Sequence, residues 1–396
     1  MTTGQRIKLL RQRAGMTRTV LAGLVGKSPD WVKSVETGRI QPPRLTTLAQ
    51  IARVLQVPVQ SLITAEEQIV LSTSTTHPAL PAVREALNQW PISRDEPPTS
   101  LEHIAARIDV AWRVRHASPD HRTVIGRLLP DLIRDTQLAI RAYQGSDRNA
   151  AHAQLADVLG LTQMFLAYQN AADLLWRVVD RAMLAAQESG DPIALAQAAW
   201  FAIEVHRDAG DWDTAQSINQ QVITALGPHL PDADTDLLAM YGALHAAAAF
   251  TAARSGRSGP AWRAWDEADR VVRNLPTGYY QRVTSFSRPV MIAHAVTLEV
   301  ELHKGDRAVR MATTEQANAI PSRPRRARHL IEVARGHHLG HQHEATIGLL
   351  NRAYHTAPET IRFNTYARQI AYDLLTGPPA LRRQAADLAV KVGLAG

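Results

Sequence analysis

Apolar residues recur at three- and four-residue steps along nearly all of this 396-residue chain, whereas the apolar–polar alternation of strands is scarce. The pattern predicts an all-α protein. Near the start, Ile7 and Leu10 mark the inward face of a helix from Gln5 to Arg13. Thr17 is placed to cap a second helix running through Leu24, and Ala22 is small enough for a close helix crossing. Gly26 supplies a tight turn. Ser28 then caps a third helix with Pro29 in its first turn, Val32 and Val35 facing inward, and Gly38 closing it. Leu45, Leu48, Ala49, Ala52, Leu55, Val57, Pro58 and Leu62 continue the period through two more short helices.

Beyond this five-helix head the punctuation changes. The stretch Leu71 to Pro78 is polar and helix-poor, and Trp90 to Thr99 holds three prolines. Between them, Ala79 to Gln89 reads as a short amphipathic helix. The expected organisation is therefore a head over residues 1–64, a connecting helix and Pro-rich linker over 65–99, and a second domain over 100–396. In that domain helix pairs return on a loose period. The clearest runs from Ala196 through Gly210-Asp211 to Leu226, with Ala215 small at the start of the second helix. The turns at Gly210, Gly256, Gly305 and Gly340 are 46, 49 and 35 residues apart. Stacked helical hairpins with small residues at the crossing form an α-solenoid, although an irregular helical bundle also fits so uneven a spacing.

Charge sharpens the picture. Residues 1–64 carry ten Lys or Arg and two acids, a local +8 against +7 for the whole chain, so the remainder sums to −1. A basic excess confined to one short segment suits a polyanion partner. Cysteine is absent, which excludes disulfides and thiolate chemistry. No signal-like leader and no run of about 18 apolar residues is visible, so a cytoplasmic, non-membrane protein is expected.

The spacing of Thr17, Leu21, Ala22, Gly26, Ser28, Val32, Glu36, Gly38 and Pro42 resembles the Xre/Cro-type helix-turn-helix family, whose DNA-binding domain is lambda-repressor-like. The resemblance implies that the third helix enters the major groove of double-stranded DNA, with a palindromic operator read by a homodimer. It places Pro29, Asp30, Lys33 and Ser34 at base-facing positions and Thr17, Arg18, Lys27, Ser28, Arg39 and Arg44 near phosphates. Pro29 has no side-chain donor, which leaves Lys33 as the expected base reader. Asp30 either accepts from cytosine or helps cap the helix. The second domain resembles the tetratricopeptide-type repeats that bacterial regulators join to this head, some of which sense short peptides. The Arg-rich, Lys-poor composition suits a bacterial source with a GC-rich genome.

A concave solenoid face lined by the first helices of successive repeats is expected to take a peptide or small-molecule effector, with Trp200, Glu204, Arg207, Tyr241 and His245 as candidates. Trp200, Trp212, Trp262 and Trp265 either line such a groove or fill the core. The basic run from Ile320 to His329 either contacts an anion or pairs with Glu332 and Glu344. His337, His338, His341 and His343 straddle a turn and read as solvent-facing rather than as a metal site, and no cofactor motif is present. No catalytic constellation emerges, so the chain is not expected to be an enzyme. Two functions remain. One is a dimeric transcription regulator gated by its repeat domain; the other is an interaction scaffold or antitoxin-like module.

Overall fold

The computed structural model describes residues 2–39, 45–62, 76–90, 97–169, 171–375 and 377–394. All regular structure among them is helical. The head comprises α1 (Thr3–Arg13), α2 (Arg18–Leu24), α3 (Pro29–Glu36) and α4 (Leu45–Val54). Helix α1 begins two residues before the expected start because Thr2 and Gln5 form a capping box: Thr2 Oγ1 accepts from the Gln5 amide at 3.3 Å, and Gln5 Oε1 accepts from the Thr2 amide at 2.9 Å. Ile7, Leu10, Leu21, Val32, Val35 and Ile51 form its core. Of the expected fifth helix, the described residues show a 3₁₀ turn, Val59–Ser61, preceded by Pro58; residues 63–75 lie outside the described residues. Pro42, Arg44, the connecting helix and most of both linker stretches lie outside the described residues.

The amphipathic segment between the linkers forms α5 (Leu80–Asn88). It is more than a connector: Leu80, Val83 and Leu87 are buried in the core of the second domain. There follow α6 (Leu101–Ala117), α7 (His121–Ala142), α8 (Gly145–Leu166), α9 (Ala172–Ser189), α10 (Pro192–Asp208), α11 (Trp212–Leu226), α12 (Thr235–Arg254) and α13 (Ser258–Asn274). After an irregular crossing come α14 (Arg288–Glu301), α15 (Gly305–Met311), α16 (Thr314–Ala319), α17 (Arg323–Leu339), α18 (His343–Thr356), α19 (Pro358–Arg362), α20 (Thr365–Leu375) and α21 (Arg382–Lys391).

Helices α8, α10, α12, α14 and α17 pack in series as an inner layer, and α9, α11, α13, α15 and α18 pair with them from outside. Sequence explains the division. Inner α12 (TDLLAMYGALHAAAAFTAAR) is apolar on every side and is buried between neighbours, whereas outer α13 concentrates its apolar residues on one face. At the crossings stand Ala215, Ala261 and Ala308, all fully buried.

The interhelix turns are less uniform than their glycines suggest. Gly210 takes the left-handed conformation, φ +77°, that a side chain resists. At the two later turns His303 and His341 carry the positive φ instead. Gly305 serves close approach: a Cβ there would stand 2.7 Å from the Gly336 carbonyl oxygen on α17.

The layer curls until its ends meet. His116 on α6 reaches Ser322, the cap of α17, with Nδ1 2.9 Å from its Oγ. Glu359 on α19 accepts from the Arg122 and Thr123 amides at the start of α7, at 2.5 and 3.2 Å. Arg282, in the crossing before α14, bridges Asp109 of α6 at 2.9 Å and Asp157 of α8 at 2.6 Å.

Candidate nucleic-acid interface and the cavity behind it

The unit α2–turn–α3 is built by local chemistry. Thr17 Oγ1 accepts from the Val20 amide at 3.2 Å and Ser28 Oγ from the Trp31 amide at 3.1 Å, so both helices begin on hydroxyl caps. Gly26 turns the chain between them with φ +64°. Ser28 rather than Asp30 supplies the cap; Asp30 is exposed in the first turn, where its charge complements the helix dipole. Trp31 is half-buried against the head core, with Lys27 Nζ 5.6 Å from its ring centroid.

Glu36, at the end of α3, is buried and holds the unit together. Arg11 Nε donates to its Oε1 at 2.6 Å and Arg18 Nε to its Oε2 at 2.7 Å. Burial pushes this carboxyl up, but the hydrogen bonds and charges of Arg11 and Arg18 outweigh that cost and hold it below its usual range. Arg18, expected at a phosphate, is thus tied to Glu36 with 37% of its side chain exposed.

Thr17, Lys27, Ser28, Pro29, Asp30, Lys33 and Arg39 are exposed, and Ser34 is half-exposed; Arg44 lies outside the described residues. Val32 and Val35 point into the core, so Lys33 stands on the opposite face of α3.

Much of the head's positive charge is engaged elsewhere, which the sequence did not disclose. Arg6 donates to the Ala209 carbonyl at the end of α10, and Arg13 donates to the Arg254 carbonyl at the end of α12. Arg13 also lies 3.5 Å from Glu301, the last residue of α14. Helix C-termini present unpaired carbonyls and the negative pole of the helix dipole, so cations belong there. Arg6 and Arg13 are two turns apart on one face of α1, about 10 Å along its axis, close to the spacing of packed helices. Burial lowers the Arg13 guanidinium to about 10, against the pull of Glu301, so it remains charged at neutral pH. Arg53 of α4 adds a pair with Asp373 at 3.8 Å.

Behind the docked head the inner helices and the loops joining the curl line a cavity that opens to solvent. Trp200, Glu204 and Arg207, singled out from the sequence, line it; Tyr241 and His245 do not, and pack edge to face with centroids 4.7 Å apart. Trp200 is buried while forming part of the wall, so core and groove are not exclusive for it. Trp212 is buried too, while Trp262 and Trp265 are half-buried in an edge-to-face pair. From the basic run, Arg325 and Arg328 reach the wall; Arg328 pairs with Glu332 at 2.7 Å.

The histidines near Gly340 separate. His337 bonds Gln342, and His338 Nε2 lies 3.6 Å from Asp373. Among the described residues no group of three or more His, Cys, Asp or Glu is placed to share a metal. None of the described helices is long and apolar enough to cross a membrane.

A capped, Gly-turned pair of helices with one face of its second helix exposed defines a helix-turn-helix domain, here joined to a helical repeat-like region. Residues 3–62 match the helix-turn-helix domain family. No curated protein matches the chain.

Proposed function

We propose that the chain is a sequence-specific, DNA-binding transcription regulator whose repeat domain senses a ligand. The observation that carries the reading is the exposed face of α3, with Lys33 outward and Lys27 and Arg39 beside it, on a head fastened through α1 to the helices that line a cavity. Lys33 reads a base edge, while Thr17, Lys27, Ser28 and Arg39 hold phosphates together with Arg18 and Arg44. Pro29, Asp30 and Ser34 complete the base-facing surface. The helical hairpins are of tetratricopeptide type, and the protein works as a homodimer on a palindromic operator in a bacterial cytoplasm. This function requires no catalytic group.

Coupling follows from Asp208. Its carboxylate holds Arg254 at 2.5 Å beside the docked Arg13, and it also lines the cavity. A ligand that draws on the charges around Asp208 favours one placement of the heads over another, and shifts DNA affinity only by that preference.

The test is DNA binding by the full-length protein at two salt concentrations, on an operator selected from a random DNA pool, with light scattering for the oligomeric state. Tight, strongly salt-dependent binding by a dimer supports the proposal. Flat salt dependence or a monomer on DNA removes it, and the interaction-scaffold reading takes its place.

A further inference from the structure

The cavity wall carries more cation than the fold can use. Five guanidinium groups line it, those of Arg115, Arg122, Arg207, Arg325 and Arg328, against two carboxylates, Glu204 and Asp208. Both acids are already engaged: Glu204 pairs with Arg207 at 2.9 Å and Asp208 with Arg254 at 2.5 Å. Arg328 has Glu332. That leaves Arg115, Arg122 and Arg325, none of which forms an ion pair with any described residue.

Their surroundings are those of a prepared site. Arg115 and Arg122 are at least nine-tenths buried, and Arg115 Nη1 and Arg122 Nε make no hydrogen bond with any described residue. Arg115 has only a weak contact from Nη2 to Met164 Sδ at 3.8 Å. Arg122 Nη1 donates to the Phe165 carbonyl at 2.5 Å. Arg325 is aimed by bonds to Ser285 Oγ at 3.2 Å and the Thr284 carbonyl at 3.0 Å, over the face of Trp200. Glu359 attracts Arg115 and Arg122 through space without an ion-pair contact, and Arg122 lies 4.9 Å from the Phe363 ring centroid. Buried charges short of a direct acid partner are costly, and a core that served packing alone would replace them with apolar side chains. The titrating neighbours report the same field. His294 is pushed down to about 3 by burial and by Arg207 and Arg325, and His121 is lowered by burial and by Arg115 and Arg122.

The rest of the wall is apolar: Trp200, Phe250, Phe286, Met291 and the alanines of α12. The contacts of α6 and α7 with α17 and α19 join the ends of the curl and wall the cavity on that side, which favours a compact molecule over a long extended chain. We infer that this cavity binds a small amphipathic organic anion, its carboxylate or phosphate head held by Arg115, Arg122 and Arg325 and its apolar body laid against Trp200 and α12. The inference rests on the sensing part of the proposed function for its purpose, and on the cavity alone for its chemistry.

Calorimetric titration of the full-length protein at neutral pH tests it, using decanoate, decyl phosphate, decanol and inorganic phosphate below micelle-forming concentrations. One of the two amphipathic anions is expected to bind at least tenfold tighter than both decanol and inorganic phosphate, and which one it is names the head group. Arg115→Gln is expected to remove that preference and, by deleting an unpaired buried charge, to raise the melting temperature of the ligand-free protein; Arg325→Gln weakens the anion in a second, less buried position. Equal binding of decanol and the anions, or no binding of either anion, overturns the inference. So does an Arg115→Gln protein that melts lower and keeps the anion preference. Anion binding that leaves operator affinity unchanged upholds the site and removes only the sensing reading, whereas DNA binding that responds to cell extract in a protein indifferent to both anions does the reverse.

Discussion

Arg13 of α1 donates its guanidinium to the main-chain carbonyl of Arg254, and through that bond the helix-turn-helix head is fastened to the end of an inner helix. The same guanidinium lies against Glu301, which Arg254 and Arg335 also approach, at 3.9 and 2.7 Å. One buried carboxylate is therefore shared by three cations, two of which have a second acid: Arg254 has Asp208 and Arg335 has Glu332, each at 2.5 Å. Burial raises the Glu301 carboxyl, and Arg335, Arg254 and Arg13 together overcome that and hold it far below its usual range.

Removing the acid should cost more than removing any one cation. Glu301→Gln leaves the buried Arg13 with no acid partner among the described residues, while Arg254 and Arg335 keep Asp208 and Glu332, and is expected to destabilise the protein by about 3–5 kcal/mol. Arg13→Ala forfeits one charged hydrogen bond and the ion pair with Glu301, which keeps two other partners, an expected loss of about 1–3 kcal/mol. Denaturant titration ranks the two. Hydrogen exchange should show faster opening of α1 in the Arg13→Ala protein, with α12 unchanged.

Gly210 joins the turn to the docking. Its φ of +77° disfavours any side chain, and a Cβ would also stand 2.7 Å from the Arg6 guanidinium. Gly190 has a similar φ of +69° and nothing within 4 Å. Both Gly→Ala changes should cost about 1–2 kcal/mol from the backbone, but only Gly210→Ala should loosen the head, seen as greater protease cleavage between the two units.

The pH dependence of the head should be carried by Glu36. Its carboxyl titrates lower folded than unfolded, so its stabilisation is complete above the unfolded value of about 4.3 and is lost as pH falls through the lower, folded value. Glu36→Gln should destabilise the head at neutral pH by about 3 kcal/mol and flatten its acid unfolding. A mutant profile as steep as the parent's below the carboxylate range would assign the acid sensitivity elsewhere.

On DNA, Lys33→Ala should lose roughly 1–3 kcal/mol of discrimination at one base pair, whereas Arg39→Ala should weaken every sequence alike. Each phosphate contact removed should lower the slope of log affinity against log salt by about 0.9. Because the side chains of Arg6, Arg11 and Arg13 are buried in internal contacts, substituting them should leave that slope nearly unchanged. Binding measured at several salt concentrations separates the classes.

The caps and turn of the head were legible because they are local: a hydroxyl at Thr17 or Ser28 finds an amide three residues away whatever else the chain does, and Gly26 answers a backbone requirement of its own position. Helical periodicity likewise predicted the hairpin from Ala196 to Leu226, and the structure places α10 and α11 there. The roles of the cations were not legible. Arg6, Arg18 and Lys33 look alike by charge on a basic head, and nothing within a few residues of Arg6 or Arg13 announces Ala209, Arg254 or Glu301. Arg115 and Arg122 flank one turn, between α6 and α7, but Arg325 comes from a distant helix and joins them only when the inner layer curls and its ends close. Sequence by itself determined the helices, their caps and the sign of the head's charge, because those depend on neighbours three or four residues away. Tertiary structure alone decided which cations face solvent, which fasten the head and which surround a cavity, because a charge acts through space on whatever the fold brings beside it.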